Sequence, residues 1–217
     1  MLNDFKKLVD SLVRDESERL AKSDKETAVG LAVARYGQDR PRCKVADVVA
    51  PGGDSLPLPA GWEAESELVS AEYPIGETPP AHLPCSIYTT PAGNQLRPGD
   101  TLGAGAEVRL TFTVAHVVSD TLDTVPPSHR EAVACWAAAW LLEQLAAAAI
   151  NDGESTLSAD STDRRTKAQE YASRARALKA RYSDTLGVGN ASPQAASGQT
   201  AAWPSRPRLT HMIRRNE

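Results

Sequence analysis

Residues 127–151 read PSHREAVACWAAAWLLEQLAAAAIN. Val133, Trp136, Ala137, Trp140, Leu141 and Leu145 recur at steps of three and four, which places them on one face of a helix. The alanines at 137–139 and 146–149 raise helix propensity and let a neighbouring helix come close. Pro126-Pro127-Ser128 closes any extended segment before it, and Ser128 with Glu131 has the spacing of a capping box. Asp152-Gly153 ends the helix near residue 151. A helix of this length, apolar and rich in alanine, needs partners to cover it, and the rest of the chain is read for them.

Downstream, a second long helix is predicted from about 160–162 to Gly187. Ala168, Tyr171, Ala175, Leu178 and Tyr182 form a narrow stripe along it. Arg164, Arg165, Lys167, Arg174, Arg176, Lys179 and Arg181 surround that stripe, against Asp163, Glu170 and Asp184. Such a basic helix is a solvated face with its aliphatic stems over the stripe, a complement to an acidic surface, or a phosphate-neutralising contact with nucleic acid. Residues 188–217 lack periodicity and are rich in Gly, Ser, Ala, Gln and Pro, the composition of a segment that orders on binding. Trp203, Leu209, Met212 and Ile213 are its apolar anchors, interleaved with Arg206, Arg208, Arg214 and Arg215.

Upstream, residues 44–118 change texture. Strands are predicted at 44–49, 68–73, 86–90 and 107–118. In the last, Val108, Leu110, Phe112 and Val114 alternate with Arg109, Thr111 and Thr113, the period of a half-buried strand. Turns at 51–53, 91–93 and 98–100 favour antiparallel pairing, and 50–62 reads as a surface loop. Two short helices precede this region. Phe5, Leu8, Val9, Leu12 and Val13 share one face of the first. Ser23 and Glu26 have capping-box spacing at the start of the second, whose apolar positions are Val29, Leu31, Ala32, Val33 and Tyr36, with Gly37 as its C-cap and Pro41 beyond.

Composition bounds the function. The 217 residues hold 34 alanines but only 11 aromatics, so any core is thin. The net charge of −4 divides unevenly: four arginines against Glu217 give +3 on 188–217, leaving −7 on the body. A wholly basic nucleic-acid surface is therefore excluded. No run reaches the ~20 apolar residues of a membrane span, and the first residues carry charges too often for a signal peptide. Synthesis in the cytoplasm and no membrane partner are expected. Cys43, Cys85 and Cys135 are too far apart for a close ligand pair and read as free thiols. His82, His116, His129 and His211 sit on four separate elements with no metal-binding spacing. Gly99, Gly103 and Gly105 lead into a strand and lack the lysine of a phosphate loop. No serine-hydrolase elbow occurs. No enzyme activity, cofactor or metal is expected.

The stretch from Val125 to Val133, the acidic cap before Lys167-Ala-Gln-Glu-Tyr171, and the Arg174 to Tyr182 segment together resemble tailed-bacteriophage head-to-tail connector (adaptor) proteins. Glu72-Tyr-Pro-Ile-Gly-Glu-Thr-Pro-Pro80 is similar to segments of the same kind of protein, and the likeness covers about 65–187. The resemblance implies a structural virion protein in the head–tail neck. It implies a homo-oligomeric ring of twelve copies beneath the phage portal protein, extending the channel for packaged DNA and receiving the next neck or tail-side protein. A C-terminal segment that docks in the portal would here be Trp203, Arg206, Arg208, Leu209, Met212, Ile213, Arg214 and Arg215. Tyr171, Arg174, Leu178 and Tyr182 would hold the bundle or the subunit interface. A neck stopper or tail-completion protein is the alternative within the virion, and a nucleic-acid-binding accessory protein using 164–181 the alternative outside it. The β-rich piece sets this chain apart from the smaller all-helical adaptors.

The expected fold class is α+β: a helical bundle with two long C-terminal helices, a β-rich antiparallel insertion and an extended C-terminal tail. Its divisions are 1–43, 44–120, 121–187 and 188–217.

Overall fold

The computed structural model describes residues 1–14, 19–91, 93–151 and 167–188. The fold is mixed α+β, with four α-helices and two small antiparallel sheets among those residues. The helices are α1 (Leu2–Val13), α2 (Lys22–Asp39), α3 (Arg130–Asn151) and α4 (Lys167–Leu186), with a 3-10 turn at Pro127–His129 before α3. The strands are β1 (Arg42–Val49), β2 (Leu68–Glu72), β3 (Cys85–Thr90), β4 (Gly93–Pro98) and β5 (Glu107–Val114).

Helix α3 is the element the other three helices pack against. Val133, Ala134, Ala137, Ala138, Ala139, Leu141 and Leu142 are wholly buried. The stripe seen in the sequence is thus too narrow: α3 is covered on several sides because its alanines admit three neighbours at short range. By length and composition the segment Pro127–Ile150 also suffices to span a bilayer, with a mean hydropathy of 1.6. In this fold its apolar side chains face α1, α2 and α4. Replacing Ala138 with leucine should cost about 1–3 kcal/mol, because a filled site has no room for three more carbons. Urea unfolding of Ala138→Leu reads that loss, and an unchanged midpoint would mean the interface is loose.

Phe5, Val9 and Val13 of α1 and Ala28, Val29, Ala32, Val33 and Tyr36 of α2 complete this helical core. Leu31, assigned to the apolar face from its spacing, is 45% exposed. The caps also differ from expectation. Helix α2 opens at Lys22, and Asp24 Oδ2 accepts the Ala21 backbone N–H at 3.1 Å. Glu26 instead meets Lys6 at 2.6 Å. Gly37 lies inside the helix, which continues to Asp39 before Pro41 stops it. Ser128 falls in the 3-10 turn and caps nothing there. Helix α4 ends as the sequence indicates. Gly187 adopts φ +66°, the Val188 N–H donates to the Ser183 carbonyl, and the Gly187 N–H donates to the Asp184 carbonyl. This is a Schellman end, with Val188 set against the helical core.

Strand β5 lies between β1 and β2 in the three-stranded sheet. Val108, Leu110, Phe112 and Val114 are buried on its inner face, as alternation predicts. The strand stops at Val114 and not at 118. The next backbone groups are taken elsewhere: the Ala115 N–H donates to Glu63 Oε2, and the Thr124 and Ser119 N–H groups close a local loop on Val117 and Leu122. Strands β3 and β4 form a separate hairpin. No strand is predicted at β4, because Gly93-Asn-Gln-Leu-Arg-Pro98 has a single large apolar residue, and Leu96 is buried. Leu96 joins Leu56, Leu83, Leu102, Val108 and Leu110 in a second core, distinct from the helical one.

Candidate functional site

The basic helix is positioned by its carboxylate neighbours. Lys179 Nζ lies 2.6 Å from Glu143 Oε1, and Arg181 pairs with Glu131, so two α4 cations meet two α3 carboxylates. Arg174 donates to the Leu12 carbonyl at the end of α1, at 3.0 Å. Charge complementarity inside one chain therefore accounts for Lys179 and Arg181, and a backbone carbonyl takes Arg174. Exposed pairs of this type contribute at most about 1 kcal/mol each; their effect is on the alignment of α4. Arg164 and Arg165 lie outside the described residues.

Of the four residues assigned to a bundle or subunit interface, Tyr182 is buried, and Tyr171, Arg174 and Leu178 are half-buried. All four are on α4. Tyr182 is the centre of a polar knot. Its hydroxyl donates to Asp39 Oδ2 at 2.6 Å, while Arg35 donates Nε and Nη2 to the two oxygens of that carboxylate, at 3.0 and 3.1 Å. The Tyr182 ring packs against Trp136 in a tilted arrangement, with centroids 4.8 Å apart. Arg35 and Lys179 approach the Trp136 ring at 5.4 and 5.3 Å. Burial first, and then the bond to Asp39, pushes the Tyr182 phenol far above its ordinary range. Periodicity finds Tyr182 but not Asp39, whose pairing bridges 143 positions.

A second cluster joins α2 to the segment before α3. The Tyr36 hydroxyl is 2.7 Å from His129 Nδ1, and its ring lies against His116 at 4.8 Å. His116 Nε2 is 3.1 Å from the Arg40 carbonyl, which can only accept, so that nitrogen carries the proton. Nδ1 lies 3.1 Å from the Thr124 hydroxyl oxygen. Burial raises the Tyr36 phenol. Both nitrogens of His116 are thus occupied in holding chain segments together. Among the described residues no serine or cysteine is hydrogen-bonded to a histidine, and no three metal-ligating side chains converge. Burial raises the Cys85 and Cys135 thiols, opposite to what a thiolate nucleophile requires.

An ion pair lies at the start of α3. Arg130 Nη2 is 2.7 Å from Asp123 Oδ2, and the Asp123 side chain is 1% exposed. The contact is ionic and poorly aligned, since Asp123 Oδ2 and Arg130 Nε both lack a hydrogen-bond partner. It borders a cavity of about 420 Å³ lined by α1. A second, open groove of about 1300 Å³ runs between α2, residues 63–67 and the segment after β5.

On the sheet's outer face, Arg109 donates to both oxygens of Asp47, at 2.8 and 2.9 Å. That bond holds the Asp47 carboxyl below the usual carboxylate range. Beside it Val45 and Val49 of β1 are 60% and 56% exposed. The residues assigned to portal contact (Trp203, Arg206, Arg208, Leu209, Met212, Ile213, Arg214 and Arg215) lie outside the described residues.

No known protein family matches this chain, and no curated protein matches it.

Proposed function

We propose that this chain is a head-to-tail connector of a tailed bacteriophage. In this reading it is a non-enzymatic virion protein whose copies form a ring of twelve under the portal and extend the DNA channel toward the tail. The finer architecture belongs to the same proposal: a helical bundle closed by two long C-terminal helices, a β-rich insertion and an extended tail that engages the portal. The carrying observation is the apolar surface left on the sheet. Val45 and Val49 of β1 and Val69 of β2 stay exposed on strands whose inner faces already form a core. Exposed apolar side chains of that kind are stabilised by covering them, and in a ring the cover is a neighbouring copy. The side chains that carry the family resemblance also support the reading, because Val125, Tyr171 and Tyr182 are packing points of the helical core. An acidic body lets DNA pass without tight phosphate contacts.

Quantitative mass spectrometry of purified virions tests this. The ratio of this protein to the portal protein should be near one, and its absence from particles would overturn the reading. Deleting 188–217 should leave the helical circular dichroism intact and abolish joining to the portal. Full occupancy by the truncated protein would remove the tail from the mechanism.

A further inference from the structure

The groove beside α2 has a definite chemistry. Its floor is the α2 face bearing Gly30, Ala34 and Gly37, and nothing lies within 4 Å of the position a Cβ would take on Gly30. Val29, Val33, Val114 and Val118 add apolar wall. The rim carries Glu26, Glu63, Glu65 and Glu67, and among the described residues no lysine or arginine lines the groove. Glu26 is engaged by Lys6, and Glu63 accepts the Ala115 N–H. Glu65 and Glu67 are exposed carboxylates. An occupant must therefore be extended or small enough to lie on a bare helix face, partly apolar, and positively charged.

This chain carries such a segment. Residues 203–215 alternate Trp203, Leu209, Met212 and Ile213 with Arg206, Arg208, Arg214 and Arg215, without one acidic side chain. Arg40, at the end of α2, donates to the Leu186 carbonyl, and Val188 seats on the helical core. The described residues thus end near the C-terminal end of α2, and Gly37, Gln38 and Pro41 form that end of the groove. Fifteen residue steps separate Val188 from Trp203, a reach of up to about 50 Å when extended. The α2 stretch along the groove, from Glu26 to Gln38, is only about 18 Å long. A tether of this length raises the local concentration of the segment to the millimolar range.

We propose that residues 203–215 dock into this groove of their own chain, with the arginines on Glu65 and Glu67 and the apolar side chains on the α2 floor. Docking keeps the apolar anchors covered until a partner with higher affinity displaces them. It stands on the groove and the segment alone and does not need the portal reading.

The test is hydrogen–deuterium exchange of the full chain at low micromolar concentration and low salt. Amides within 203–213 should exchange at least ten-fold slower than an unstructured peptide. That protection should vanish in Glu65→Lys/Glu67→Lys, vanish in Arg206→Glu/Arg208→Glu, and return when the four changes are combined. Unstructured exchange rates in the unmodified chain would overturn the proposal. So would protection indifferent to the glutamate changes, and so would protection that grows with protein concentration, which assigns the segment to a second copy. Failure to bind a portal leaves these readings unaltered, so the two ideas fail separately.

Discussion

Tyr182→Ala is expected to lower folding stability by about 3–5 kcal/mol, the cost of removing a large buried aromatic side chain. The ring is 1% exposed and packs tilted against Trp136, so the variant loses burial, an aromatic contact and the partner of a nearly buried carboxylate together. Tyr182→Phe separates these contributions. It keeps the ring and removes only the bond to Asp39, which Arg35 still pairs bidentately, and should cost about 1.5 kcal/mol. The two variants also differ at alkaline pH. The folded state holds the Tyr182 proton more tightly than the unfolded chain does, whose tyrosines titrate near about 10. Above that pH the unfolded state binds fewer protons, so stability present below about 10 is lost as pH rises further. Tyr36 adds to the same slope in the same direction. Urea unfolding between pH 7 and 10.5 should show a steeper alkaline decline for the unmodified protein than for Tyr182→Phe. Parallel declines would sink the assignment of that slope to Tyr182.

Phe112→Ala should have a cost of similar size, about 3–5 kcal/mol, at a different place. Phe112 is wholly buried on the central strand, opposite Lys44 of β1 and Leu68 of β2, with the Trp62 ring 5.4 Å away. The β-rich core and the helical core have separate memberships. Residues 40–41 and 115–124 link them, chiefly through His116 on the Arg40 carbonyl. The loss is therefore expected to be local. In Phe112→Ala, hydrogen exchange should quicken across β1, β2 and β5 while α3 amides keep their protection. Equal acceleration in α3 would show that the two cores unfold as one unit.

The sequence shows an element wherever one physical pattern is strong and local. The alternation of β5 and the alanine-rich apolar run of α3 are both of this kind. It misleads where neighbours compete for the same role. Asp24, and not Ser23 with Glu26, caps α2, because Glu26 has Lys6 within reach. Strand β4 escapes notice because its polar residues carry no alternation, and its buried Leu96 gains meaning only opposite Leu56 and beside Leu83. Sites assembled across the chain leave no local trace. The groove takes its floor from residues near 30 and its rim from residues near 65 and 115. The partners of the basic helix, Glu131 and Glu143, belong to α3, 50 and 36 positions upstream of Arg181 and Lys179. Composition alone identifies α4 as basic, and only the fold reveals where that charge is spent.

The placement of α3 has a consequence for synthesis on the ribosome. Helices α1 and α2 emerge first, yet the surface that covers Phe5, Val9, Val29 and Val33 comes largely from a helix that ends at residue 151. For more than a hundred residues of elongation, at about 5–20 residues per second, the nascent chain carries an apolar face with nothing to close it. Strand β5 completes its sheet within that interval, because β1 and β2 precede it. The β-rich core is thus free to form while the N-terminal helices still wait, although they are the older part of the chain.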